Sequence, residues 1–94
     1  MAVGIRIKFA GVTQDQFDAV NKHVDPAGNL PAGLIFHASG PIDGGWGVID
    51  FWESRAAFDA FSSRIEQSVQ AAGVELQGPP DIKEFPVHET FPAS

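Results

Sequence analysis

The chain has no cysteine and few cations, with six lysines and arginines against twelve aspartates and glutamates and a formal net charge of −6. Without cysteine there are no disulfides, no thiolate metal ligands and no cysteine nucleophile. Without a basic run or stripe there is nothing to neutralise a phosphate backbone or an anionic membrane surface, so neither nucleic acid nor membrane is expected as a partner. Long hydrophobic runs are also missing. The opening "MAVGIRIKFAG" carries Arg6 and Lys8 inside its apolar stretch and lacks signal-peptide architecture. No run is long enough to span a bilayer. A cytoplasmic protein is the expectation.

What is present reads as one small globular domain, residues 1–94. Hydrophobic residues make up 44% of the chain and charged residues 19%, which excludes a disordered segment. A domain of this length buries only roughly 60–65% of its unfolded surface, so association with a second copy is a natural source of stability.

The alternation Val3, Ile5, Ile7, Phe9 predicts a strand over Ala2 to Ala10. Thr13 and Gln16 have capping-box spacing, and Val12 and Phe17 have that of a hydrophobic staple, so a helix opens there. Its apolar stripe is Phe17, Val20 and Val24, and "DPAGNLPAG", Asp25 to Gly33, ends it. "LIFHASG", Leu34 to Gly40, predicts a second strand, "PIDG" a turn, and Gly45 to Glu53 a third strand. Ser54 suits an N-cap for a second helix with Phe58, Phe61, Ile65 and Val69 on one stripe and Gly73 at its end. After "GPPD" a last strand is expected over Ile82 to His88, with an irregular tail "ETFPAS". The order βαββαβ predicts an α+β, ferredoxin-like fold, with a four-stranded antiparallel sheet and two helices on one face.

Parity sorts the strand residues into two sets. One holds Val3, Ile5, Ile7, Phe9, Leu34, Phe36, Ala38, Ile49, Phe51, Phe85 and Val87; the other holds Arg6, Lys8, Ile35, His37, Ser39, Trp46, Val48, Asp50, Trp52, Ile82, Glu84 and His88. Only one face can lie under the helices, and either choice leaves a large apolar patch outside. A homodimer joined through its sheets resolves this, without deciding which face is which.

The segment "VIDFWESRAAFDAF" resembles the strand-to-helix passage of the dimeric α/β-barrel superfamily, in particular the antibiotic-biosynthesis monooxygenase-like group and its short actinobacterial members with "GGW…WES" hairpins. The acid-x-Trp-x-Ser pattern falls on Asp50, Trp52 and Ser54. The resemblance implies a sheet-to-sheet homodimer with a pocket between sheet and helices in each subunit, lined by Trp52 and its face-mates Asp50, Trp46 and His37. There are departures. The haem-degrading branch has a helix histidine where Phe58 to Arg64 has none. The cofactor-free monooxygenases often use an asparagine near the pocket, commonly on a strand. The asparagines here are Asn21 and Asn29, in a helix and a loop.

The residues themselves nominate a site. A short "PIDG" hairpin sets His37 and Asp50 on neighbouring strands, within reach of an imidazole–carboxylate contact if the register has odd parity. Such a pair orients the ring and leaves its other nitrogen for general acid–base catalysis; equally, it is a polar pair stabilising a hairpin. Trp46 and Trp52 are broad walls for a planar ligand or simply core. Phe61 joins them from the helix stripe. Arg6, grouped with Asp50 by parity, is a candidate for a substrate oxygen or for a structural ion pair. The histidines have no metal-ligand spacing, and "GGWG" sits in a hairpin rather than a phosphate loop, so neither metal nor cofactor is expected. Taken with the resemblance, which implies the oxygenase chemistry, two functions are expected: a cofactor-independent enzyme (oxygenase, or lyase, isomerase or cyclase) that abstracts a proton from an apolar, aromatic or polyketide-like molecule, or a non-catalytic ligand-binding or structural homodimer.

Overall fold

The computed structural model describes residues 2–24 and 31–90. Most of the helix-ending segment at 25–33 and the last four residues of the tail thus lie outside the described residues. The elements run β1 (Val3–Ala10), α1 (Gln14–Val24), β2 (Leu34–Ile42), β3 (Gly45–Trp52), α2 (Arg55–Ala72) and β4 (Asp81–Pro86). All three strand pairings are antiparallel, in the order β2-β3-β1-β4. The expected βαββαβ arrangement is the observed one.

Local signals set the helix ends. The Thr13 backbone N–H donates to Gln16 Oε1 at 3.0 Å, and the Gln16 N–H donates to Thr13 Oγ1 at 3.2 Å, closing the capping box. Ser54 caps α2 by accepting from the Ala57 N–H at 3.1 Å. At the other end Gly73 takes the left-handed φ of 70° that a side chain disfavours. Its N–H reaches Gln70 O and that of Val74 reaches Val69 O, a Schellman closure.

The hairpin is tighter than "PIDG" suggests. β2 continues through Pro41 to Ile42, which pairs with Gly45, so only Asp43 and Gly44 form the loop. Pro41 is tolerated because β2 is an edge strand, where a missing N–H need break no ladder bond. The last strand is shorter than expected, ending at Pro86 rather than His88.

The register overturns part of the parity sorting. Ile5 lies opposite Asp50, Ile7 opposite Val48 and Phe9 opposite Trp46, so the apolar side chains of β1 share the face of Asp50 under the helices. Arg6 and Lys8 are on the outer face. Alternation defines two faces within a strand, but which of them matches which in the neighbour depends on the register. Leu34 is also reassigned. A bulge between Leu34 and Phe36 places it opposite Trp52 and against the core, while Phe36 faces out opposite Phe51.

The core therefore lies between sheet and helices. Ile5, Ile7, Trp46, Val48 and Trp52 from the strands meet Val12 and Phe58, with Phe17 and Phe61 packed against them. Beside Arg6 and Lys8, the outer face carries an uncovered apolar patch: Phe36 is 57% exposed, Phe85 54% and Ile49 50%. Phe36, Phe51 and Phe85 form a row across the sheet, with ring centroids 6.3 and 6.4 Å apart. The position between Phe51 and Phe85 belongs to Gly4. A Cβ there would come within 2.5 Å of the Phe85 ring, so the missing side chain lets that ring lie across β1.

One close approach yields a stability prediction. A Cβ on Gly45 would fall 2.0 Å from the Phe9 carbonyl oxygen, a backbone atom that cannot swing aside. Gly45→Ala is expected to destabilise the fold by about 1–3 kcal/mol through backbone displacement. Urea unfolding would show this as a lower midpoint; an unchanged midpoint would contradict the geometry.

Candidate functional site

Two neighbouring strands bring the central pair together. His37 on β2 lies directly opposite Asp50 on β3. Their side chains meet with Nδ1 2.5 Å from Asp50 Oδ1. Asp50 is 1% exposed, whereas the His37 side chain is 39% exposed. A buried carboxylate needs a donor, and the imidazole supplies one. In return the hydrogen bond to Asp50 raises the His37 pKa above its ordinary value of 6.5, against a smaller lowering by burial. With Nδ1 committed, Nε2 is the nitrogen left to exchange a proton with a ligand.

The pair lies on the wall of a cavity of about 460 Å³ between sheet and helices. Ile7, Phe9, Val48 and Ile82 line it from the sheet, Phe17 and Val20 from α1, Phe58, Phe61, Ile65 and Val69 from α2. Val74, Leu76, Pro79 and Pro80 close one side from the α2–β4 connection. The cavity is apolar apart from a few groups, the usual composition of a small-molecule site.

The candidate residues fall into three groups. His37, Asp50 and Phe61 line the cavity. Trp46 and Trp52 do not; they stand behind it. Trp52, fully buried, packs against Phe61 and Phe58 with centroids 5.1 and 6.1 Å away, and Trp46 stacks on Phe17 at 5.2 Å. The indoles thus brace the rings that form the wall, and the expectation that they form it themselves is corrected. Both indole N–H groups are buried without an acceptor among the described residues. Arg6 stands apart. It projects from the outer face and reaches Asp81 at 3.3 Å, so the sheet separates it from Asp50. His88 is exposed beyond the end of β4 and does not line the cavity.

Sequence reasoning did not pick out the polar residues of the helical wall: Asn21 from α1, and Ser62, Glu66 and Gln70 from α2. The signal was available. Ser62, Glu66 and Gln70 follow one another at four-residue spacing, each one position after a member of the apolar stripe Phe61, Ile65 and Val69. Asn21 reaches the cavity from a helix rather than from a strand.

Among the described residues, no three histidine or carboxylate side chains converge as a metal-ligand set, and no helix is long and apolar enough to cross a membrane.

No protein-family model matches the sequence, and no curated protein matches it significantly. Solved structures do match in fold. Rv0793 from Mycobacterium tuberculosis superposes with a TM-score of 0.65 at 16% identity, covering 97% of this chain and 99% of its own. SnoaB from Streptomyces nogalater, described as a cofactor-independent oxygenase, gives 0.60 at 14% identity, covering 97% and 96%. An antibiotic biosynthesis monooxygenase-like protein from Caulobacter crescentus gives 0.69 at 15% identity, covering 94% and 91%. At such identities the likeness is one of architecture: over nearly its whole length, the chain has the ferredoxin-like fold of the antibiotic biosynthesis monooxygenase-like proteins.

Proposed function

We propose that the protein is a small cofactor-independent enzyme that takes a proton from an apolar, aromatic or polyketide-like molecule. One observation carries this reading: a histidine held by a buried carboxylate opens onto an apolar cavity of about 460 Å³. Asp50 orients the ring and stabilises the imidazolium; Nε2 accepts the substrate proton. The aromatic and aliphatic walls give a flat substrate an apolar surface to pack against. Such an anion reacts with dioxygen directly in an oxygenase, or collapses by rearrangement in an isomerase or cyclase. The fold shared with SnoaB supports the oxygenase branch.

We further propose that the Phe36, Phe51 and Phe85 row joins two copies sheet to sheet. Exposed large side chains in a continuous row are rare on monomers, and a two-fold axis through them would bury the same patch twice. Sedimentation at micromolar concentration is expected to give twice the 10.0 kDa chain mass, and Phe51→Asp to shift it toward one. A wild-type protein that stays at one chain mass would sink the dimer.

The proton-transfer reading is tested with apolar cyclic ketones such as 2-tetralone, following loss of the acidic methylene protons by NMR in heavy water. Exchange is expected above the rate in matched buffer, and His37→Ala and Asp50→Asn are expected to slow it by about 10²–10⁴-fold. Thermal unfolding serves as a control for the fold. Exchange no faster than buffer across a panel of such ketones, or indifferent to His37→Ala, would refute it.

The pH dependence has a definite sign. The raised pKa means that the base form of His37 accumulates only above the ordinary 6.5, so exchange is expected to rise with pH and level off beyond the raised value. Stability moves the other way. The stabilising charged contact is fully present below 6.5 and is lost as pH rises through the folded pKa. Urea titrations at several pH values are expected to show this decline, and Asp50→Asn to flatten it.

A further inference from the structure

Resting on the reading of the cavity as a ligand site, we infer that it selects by charge, accepting neutral or cationic apolar ligands and rejecting carboxylates and phosphates, with Glu66 setting the rule. The chain has only six lysines and arginines, and none of them lines the cavity. Arg6 and Lys83 lie near Asp81, at 3.3 and 3.9 Å, and Arg6 and Lys8 are on the outer face. Arg55 is held by Asp59 at 2.8 Å and by Glu84, fixing the start of α2 to β4. Arg64 donates to the Val24 carbonyl oxygen on the other side of α2, and Lys22 is exposed in the last turn of α1.

Two carboxylates do line the cavity. Asp50 is matched by His37, so the pair is neutral overall when the ring is protonated and carries one negative charge when it is not. Glu66, unlike buried Asp50, is exposed to solvent, and it has no ion-pair partner among the described residues. An anionic ligand entering here meets one or two negative charges and no free cation. Ser62, Gln70 and Asn21 can donate hydrogen bonds to such a ligand but cannot neutralise it. A hydroxyl or ammonium group instead finds Glu66 as an acceptor on the helical wall, away from the sheet-borne dyad. The arrangement suits a flat apolar body with a proton to give at the His37 end and a hydrogen-bond donor at the α2 end.

The test is calorimetric titration of the intact protein, at low ionic strength and pH 8, with three probes sharing one aromatic body: 2-naphthol, 2-naphthylmethylammonium and 2-naphthoate. The expected result is that naphthol and the ammonium bind about tenfold or more tightly than the carboxylate, with the gap shrinking as salt is added. Glu66→Gln is expected to narrow the gap and Glu66→Lys to reverse it. Binding of the carboxylate as tight as that of naphthol would overturn the charge rule and leave the cavity reading standing. A gap that persists unchanged in Glu66→Lys would overturn the assignment to Glu66. Binding of none of the three would remove the cavity as a ligand site and the charge rule with it.

Discussion

A carboxylate withdrawn from water must be neutralised or matched, and much of the chain's arrangement follows from how Asp50 is matched. The two-residue hairpin sets a register in which His37 and Asp50 stand opposite each other on β2 and β3, and there the imidazole meets the carboxylate. With Asp50 turned toward the helices, the period of two turns Trp46, Val48 and Trp52 the same way. Ile49 and Phe51 then face outward, joining Phe36 and Phe85. The inner pocket and the outer apolar face are thus two results of one alternation.

The same strand accounts for the empty space. Its inner residues run large, small, small, large, with tryptophans at 46 and 52 around Val48 and Asp50. Each indole fills one end of the layer and props a phenylalanine of the overlying helices, Phe17 at one end and Phe61 at the other. Between them the shorter side chains leave the middle unfilled, and the dyad looks into that gap. Interiors are close-packed with few voids, and this one is flanked at both ends by a packed indole.

Much of this was legible in the sequence because it is encoded locally. Thr13 with Gln16, Ser54 and Gly73 act within a few residues of themselves, so the helix ends could be read directly. The His37–Asp50 contact depends only on a short hairpin, and it too was readable. The face of Arg6 was not. It depends on how β1 is phased against β3, a contact between strands some forty residues apart that the alternation of neither reports. Grouping like with like placed the β1 apolar residues with Phe51, whereas they lie beside Asp50. The displacement of Trp46 and Trp52 from cavity wall to cavity support has a similar origin. A residue's face follows from its strand, but its depth below a surface depends on what the helices place over it.

The bulge at the start of β2 separates two parts of one strand. Upstream of it Leu34 is placed by the core, and downstream His37 is placed by Asp50. Ile35 absorbs the mismatch between those two demands, standing 40% exposed. A residue gained or lost there would lengthen or straighten the strand without rotating either end. The entry to β2 is therefore free to drift by insertion and deletion while the histidine stays where it is. Past Phe36 that freedom is gone, because one residue more or less would carry His37 to the opposite side of the sheet.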